Sequence, residues 1–142
     1  MSLLRMAATG AAVLAATAGV TLVNSTPALA STPAGCGSVH QIGTTRVLTV
    51  SGVEAASVKQ YYGCGNNYAY IYVWEQYRNA HSNWDLEVYV VNHDDSGSDY
   101  GRAVLNNTTR SELWGPAADT AAHCTHVTGF LNSTGGSTSK VC

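Results

Sequence analysis

The sequence predicts an all-β fold, a small antiparallel β-sandwich or barrel of six or seven strands with two disulfides. Short runs rich in Val, Thr, Tyr and Trp are separated by turns rich in Gly, Asn, Asp and Ser. Charged residues make up only 11% of the chain, and its four cysteines form an even set behind an apparent export signal. These features favour a disulfide-bonded extracellular β-protein over a helical bundle.

Residues 1–30 have the layout of a secretory signal peptide. Arg5 precedes an apolar run, and the segment ends at Ala30 in the sequence ALA, whose small residues suit a signal peptidase. We therefore expect cleavage after Ala30, secretion, and a single extracellular domain over residues 31–142. A retained membrane anchor is the alternative, but the run is rich in Ala, Gly and Thr rather than Leu.

The first predicted strands are bounded by clear turns. The run TRVLTV ends at Ser51-Gly52, and GCGNN is a turn because Gly and Asn adopt positive φ at little cost. Between these turns lies VEAASVKQYY, which also fits a helical turn at its alanines; we favour a strand. The aromatic run that follows alternates with period two and is dominated by aromatic and β-branched residues.

We expect this aromatic run and the next one, WDLEVYVV, to form a long antiparallel hairpin at the centre of the sheet. A polar connector, Arg78–Asn83, would join its two strands. After a polar loop at Asn92–Asp99, three further strands are predicted, and NSTGGSTS is predicted as a flexible turn. The predicted strands are 45–50, 53–62, 68–77, 84–91, 100–105, 110–115 and 122–131.

The cysteines are predicted to form two disulfides in sequential order, although other pairings are possible. Cys36–Cys64 would pin the N-terminal arm to the turn before the aromatic strand, and Cys124–Cys142 would tie the last residue back to a strand. Each would stabilise the fold by about 2–4 kcal/mol. A zinc site is the alternative, but CxxC spacing is missing. Its ligands would come from His93, His123, Cys124 and His126.

The candidate ligand-binding site is a set of aromatic residues on one face of the third predicted strand: Tyr68, Tyr70, Tyr72 and Trp74. Flat aromatic rings stack on sugar rings or on peptide side chains, and phenol hydroxyls hydrogen-bond at the rim. The alternative is that this stripe is buried packing, because Ile71 and Val73 make the opposite face of the strand apolar too. We call the four residues the aromatic stripe.

Other polar residues suggest catalytic or metal sites, but their sequence patterns are weaker than that of the aromatic stripe. Glu75, Asp85 and Glu87 offer paired carboxylates of the kind that hydrolyse glycosides, but carboxylates on an outer face are usually solvated. The loop HDDSGSD offers oxygen ligands for calcium without the spacing of an EF-hand. The histidines are scattered, and no GxSxG motif occurs. We therefore predict no catalytic residue, no metal site and no cofactor.

The charge balance narrows the class of partner. The formal net charge is −2 and no basic patch occurs, which argues against nucleic acid and anionic membranes. We expect no membrane contact once the signal peptide is removed. An extracellular carbohydrate or an extracellular protein remains, and the sequence gives no indication of the oligomeric state.

Two short stretches, CGS at Cys36–Ser38 and HCTHVTGFL from His123, resemble those of small exported actinobacterial proteins. At this level the chain is similar to secreted spore-associated proteins of mycelial bacteria. The tyrosine-rich, two-disulfide β-sandwich also resembles proteinaceous α-amylase inhibitors of such organisms, although their exposed Trp-Arg-Tyr triplet is missing here. The resemblances imply an extracellular β-domain and transfer no function.

We predict a secreted, non-catalytic binding module, or one associated with the cell surface or with spores, that uses the aromatic stripe. The first alternative is a proteinaceous inhibitor of a secreted hydrolase, an amylase or a protease, acting through the Arg78–Asn83 or Asn92–Asp99 segment. The second is a small glycoside hydrolase that uses the hairpin carboxylates.

Overall fold

The computed structural model describes residues 31–142, and the predicted signal peptide lies outside these residues. The fold is all-β as predicted, with eight strands and one short helix. No helix within this part of the chain is long and apolar enough to cross a membrane. The elements are β1 (His40–Val50), β2 (Val53–Gly63), β3 (Asn66–Val73), α1 (Glu75–Ala80), β4 (Trp84–Asn92), β5 (Ser98–Thr108), β6 (Glu112–Trp114), β7 (Thr125–Leu131) and β8 (Thr134–Ser137).

The strands form two antiparallel sheets of four strands each. The first sheet has the order β1-β2-β3-β6 and the second has the order β5-β4-β7-β8. Alternate residues of the central strands, such as Ile71 of β3 and Val88 of β4, are fully buried between the sheets. On β7, a side chain at Gly129 would come within 2.7 Å of Val58 in the first sheet, so glycine there permits close packing.

The predicted hairpin of the third and fourth strands is wrong. β3 and β4 lie in different sheets and face each other across the core, and α1 takes the place of the Arg78–Asn83 connector. The backbone N–H groups of Tyr77 and Arg78 both donate to the Trp74 carbonyl at 3.1 Å, which turns the chain out of the first sheet. The buried Tyr77 then anchors α1 to the core.

A second difference concerns the segment NSTGGSTS, which was expected to be a flexible turn. Its residues Thr134–Ser137 form β8, which pairs with β7 and raises the number of strands to eight. The two glycines of β8 leave room for neighbouring side chains, because a Cβ at Gly135 would overlap the ring of Phe130. A glycine-rich strand of this kind carries little of the composition by which strands are recognised.

Both predicted disulfides are confirmed, Cys36–Cys64 and Cys124–Cys142. Cys64 lies in the two-residue turn between β2 and β3, where it and Gly65 have φ of 51° and 78°. Next to the second disulfide, Thr125 of β7 and Val141 exchange two backbone hydrogen bonds of 2.7 Å. These bonds pair the C-terminal segment with the start of β7. Each end of the chain described here is therefore fastened to a sheet.

Candidate functional site

The aromatic stripe lies on the outer face of the first sheet. Because Ile71 and its alternate neighbours on β3 point into the core, the tyrosines of β3 point away from it. Their exposure nevertheless differs along the strand: Tyr68 and Tyr70 are each 2% exposed, Tyr72 is half-buried, and Trp74, directly after β3, is 38% exposed. The stripe is therefore divided into a covered half and an open half.

An N-terminal arm, residues 31–37, covers the first half. One end of the arm is fixed by Cys36–Cys64 at the β2–β3 turn. At its other end, the indole N–H of Trp114 on β6 donates to Ser31 Oγ at 3.0 Å. Pro33, between these two anchors, is buried. The arm is thus anchored at both ends of this half of β3, and we infer that it makes Tyr68 and Tyr70 inaccessible together with Tyr61 and Trp114.

Beneath the arm, Tyr70 belongs to an aromatic cluster with Tyr61 and Trp114. The ring centroid of Tyr70 lies 5.7 Å from the ring centroid of Tyr61 and 4.5 Å from that of Trp114. These distances are typical of favourable aromatic pairs. The Tyr70 hydroxyl donates to Glu112 Oε2 at 2.8 Å. Burial, and then this bond to a carboxylate, raise the pKa of Tyr70 far above its usual range. The hydroxyl of this buried tyrosine is therefore satisfied inside the protein.

The open half of the stripe forms a surface that we call the Trp74 patch: Val47, Tyr72, Trp74 and Arg78. The rings of Tyr72 and Trp74 meet edge to face, with centroids 5.6 Å apart and an interplanar angle of 88°. The Arg78 guanidinium carbon lies 5.9 Å from the centre of the Tyr72 ring, and Arg78 Nη2 donates to the Tyr72 hydroxyl at 3.4 Å. The patch therefore combines two aromatic rings with one cation.

Val47 belongs to the same outer face of the first sheet through the strand register. Val47 of β1 pairs with Ser57 of β2, and Ser57 pairs with Tyr72 of β3, so the three form one row across the sheet. Val47 is 38% exposed on this face, whereas Val53 lies beyond a β-bulge at Ala55 and pairs with Val50, which packs against the core, so Val53 lies on the opposite face. The outer face of the first sheet thus carries two exposed apolar side chains, Val47 and Trp74, with Tyr72 in the same row as Val47.

The backbone beneath the patch is fixed. The Trp74 N–H donates to the Ala55 carbonyl of β2 at 2.9 Å, and the Trp74 carbonyl accepts the first hydrogen bonds of α1. Arg78 Nε donates to the Val73 carbonyl at 3.1 Å, which holds the guanidinium above Tyr72. A partner therefore meets side chains that are already largely ordered, which lowers the entropy cost of binding.

Arg78 is a residue of the patch that lies outside the predicted aromatic stripe. The sequence places it in the polar connector Arg78–Asn83, which is a candidate segment for the inhibitor alternative. The short helix α1 instead brings Arg78 back to β3, because the Arg78 backbone N–H donates to the Trp74 carbonyl at 3.1 Å and the guanidinium lies over the Tyr72 ring. The run EQYRNA contains good helix formers, and this is the one signal in the sequence that favours α1.

The predicted carboxylates are distributed over two elements. Glu75 lies in the first turn of α1, whereas Asp85 and Glu87 lie on the outer face of β4 and line a groove of about 190 Å³ with Phe130. Asp85 Oδ1 accepts the Asn107 N–H at 2.7 Å, and Glu87 forms an ion pair with Arg102. The two carboxylates of β4 therefore already hold neighbouring parts of the second sheet together.

The four predicted zinc ligands lie at one end of the second sheet, but they do not form one cluster. His93 Nε2 and His126 Nδ1 lie 2.7 Å apart and share a hydrogen bond, and His123 Nδ1 lies 3.3 Å from Asp94 Oδ2. Cys124 is oxidised in its disulfide. Among residues 31–142, no three His, Cys, Asp or Glu side chains are grouped closely enough to hold a metal ion.

The histidine pair predicts how stability depends on pH. Burial, and then the neighbouring His93, lower the pKa of His126 below its usual 6.5. The unfolded chain therefore binds more protons just below pH 6.5 than the folded protein, so stability is full above this pH and falls as the pH drops through it. Urea denaturation at intervals from pH 7.5 to pH 5 measures this loss. We expect His126→Gln to flatten it, and equal slopes in the two proteins would contradict the assignment.

Comparisons with models of protein families, with curated proteins and with solved structures found no match. No relative therefore indicates which surface of this fold is functional.

Proposed function

We propose that this protein is an exported, non-catalytic binding module that contacts an extracellular partner through the Trp74 patch. The signal-like segment that ends at Ala30 supports export. The two disulfides also support it, because disulfides persist in oxidising compartments outside the cytosol. The mature protein would then begin at Ser31.

The observation that carries this proposal is the exposure of Trp74 on a fixed backbone, in contact with Tyr72 and close to Arg78. Leaving 38% of Trp74 in water forgoes part of the free energy that burying this side chain would contribute, and exposed apolar residues next to aromatic ones mark a contact surface. Trp, Tyr and Arg are also the residues most enriched among those that dominate binding energy.

The leading partner is a polysaccharide of the cell wall or of extracellular storage material. The free face of the Trp74 indole would stack on the apolar face of a sugar ring, while the Tyr72 hydroxyl and Arg78 would hydrogen-bond its hydroxyl groups. Tyr68 and Tyr70, the other members of the aromatic stripe, would support this surface from beneath the arm without contacting the ligand.

Co-sedimentation with insoluble peptidoglycan, chitin, cellulose and starch tests the proposal. We expect the mature protein to pellet with at least one of these, and Trp74→Ala to remain in solution. Truncating a dominant aromatic contact costs at least about 2 kcal/mol, a loss of affinity of about 30-fold. Val104→Ala is the matched control, because Val104 is 47% exposed on the other sheet. Equal pelleting of Trp74→Ala and wild type would refute a role for the patch.

A second candidate, inhibition of a secreted hydrolase, is favoured by one specific observation. The chain has no Trp-Arg-Tyr triplet in sequence, yet the fold brings Trp74, Arg78 and Tyr72 together on one surface. Titration of an α-amylase with the protein tests this candidate. Stoichiometric loss of activity that disappears in Arg78→Ala would support inhibition, and unchanged activity at excess protein would reject it for that enzyme.

A further inference from the structure

We propose that Glu112 is the binding site for the protein's own amino terminus, the α-ammonium group that cleavage after Ala30 would create on Ser31. The inference rests on the cleavage site given under the proposed function, but it is independent of what the Trp74 patch binds. It assigns a role to the pocket of about 320 Å³ between the arm and β6, whose lining includes Ser31, Glu112 and Trp114.

Ser31 is held at this pocket by two side-chain contacts. Its hydroxyl accepts a hydrogen bond from the Trp114 indole at 3.0 Å and donates to Glu112 Oε1. The amino nitrogen of a serine lies within about 4 Å of its own Oγ in every rotamer. An ammonium group on Ser31 would therefore lie no more than about 6 Å from the Glu112 carboxylate, close enough for opposite charges to interact strongly.

The surroundings of Glu112 favour a cation. The carboxylate is half-buried, and its second oxygen accepts the Tyr70 hydroxyl at 2.8 Å. Arg110 also lines the pocket, yet Glu112 takes part in none of the ion pairs formed among residues 31–142. Within residues 31–142 the carboxylate thus has two hydroxyl partners and no ion-pair partner.

The consequence is a link between export and the final packing of the outer face. In the precursor, residue 31 contributes a neutral peptide nitrogen, and the arm is held by hydrogen bonds and by Cys36–Cys64. After cleavage, the arm would gain a charge pair at its free end, directly above the aromatic cluster that contains Tyr70. The covered half of the aromatic stripe would therefore be closed most firmly in the mature protein.

The test is the pKa of the Ser31 amine in protein secreted from its own full-length precursor. Mass spectrometry first establishes the amino-terminal residue, and competitive acetylation across pH then gives the pKa of the amine. We expect a value raised by about one unit over the usual 7.7–8.0. We expect Glu112→Gln to return it to the usual range, with Asp99→Asn on the second sheet as the control that leaves it raised.

A further measurement keeps the test decisive if Glu112→Gln does not fold. The wild-type amine titrated in concentrated urea should show the ordinary pKa, because the unfolded chain no longer holds Ser31 beside Glu112. An amine with the same pKa in folded and unfolded protein would overturn the proposal. So would an amino terminus at a residue other than Ser31, while retention on polysaccharide reports separately on the Trp74 patch.

Discussion

Replacing Tyr70 with alanine is expected to lower the free energy of unfolding by about 3–5 kcal/mol, the range for large buried aromatic residues. The tyrosine is 2% exposed, packs against Tyr61 and Trp114, and donates its hydroxyl to Glu112. Its removal leaves a cavity under the arm and a half-buried carboxylate without one of its donors. Urea denaturation monitored by tryptophan fluorescence measures the loss.

Tyr72→Ala is the matched control, because Tyr72 is the next tyrosine on the same face of β3 but is only half-buried. We expect it to cost less than about 2 kcal/mol, since part of its ring is already in water. Tyr70→Phe separates ring from hydroxyl and should cost about 1.5–3 kcal/mol, the value of a hydrogen bond to a charged group. Equal losses for Tyr70→Ala and Tyr72→Ala would contradict the division of the stripe into covered and open halves.

Removing the disulfide Cys36–Cys64 by a double change to serine is expected to cost about 3–4 kcal/mol. Its cysteines are separated by 28 residues in sequence, and closing a loop of that length reduces the entropy of the unfolded chain by about this amount. The change also frees one end of the arm, so Tyr68 and Tyr70 should become accessible at denaturant concentrations at which the sheets remain folded. Denaturation midpoints and iodide quenching of Trp114 measure the two effects.

The second disulfide supplies the comparison. Cys124–Cys142 spans 18 residues, so its removal should cost about 3 kcal/mol by the same loop-entropy reasoning. It lies at the edge of the second sheet, and its loss should leave the quenching of Trp114 unchanged. If both double variants lose stability but neither increases the accessibility of Trp114, then the arm is not what covers the first half of the stripe.

Much of the fold was predictable from local patterns. The period-two alternation of β3 and β4, the turn at GCGNN and an even set of cysteines in sequential pairing all reflect interactions between residues close in sequence. The ambiguous run VEAASVKQYY is a strand because β1 and β3 pair with it on both sides, a tertiary effect that outweighs the helical tendency of its alanines.

The pairing of β3 with β4 was not predictable in the same way. Alternation shows which residues of a strand share a face, but two consecutive strands bury the same residues whether they lie side by side or face each other across a core. Whether the two strands pair or face each other depends on the segment that connects them. That segment is the short helix α1, whose formation relies on the packing of Tyr77 into the core. Sheet membership was therefore decided by a long-range contact.

The candidate site also has a part that local patterns predict and a part that depends on long-range contacts. Alternation correctly grouped Tyr68, Tyr70 and Tyr72 on one face, but exposure depends on the arm, which comes from a distant part of the chain. Trp74 stays beside Tyr72 even though it lies beyond the end of β3. Arg78 joins them only because α1 forms. The residues that bear the proposed function are thus a subset of the predicted stripe together with one residue that the pattern did not include.

Hydroxyl-radical footprinting of the mature protein, read residue by residue by mass spectrometry, tests the division of the stripe most directly. It reports the accessibility of all four stripe residues in one experiment and needs no ligand. We expect rapid oxidation of Trp74, intermediate oxidation of Tyr72, and protection of Tyr68 and Tyr70 until the protein unfolds. Oxidation of Tyr70 at a rate similar to that of Trp74 would mean that the arm leaves the stripe open, and the binding surface would then extend over the whole of β3.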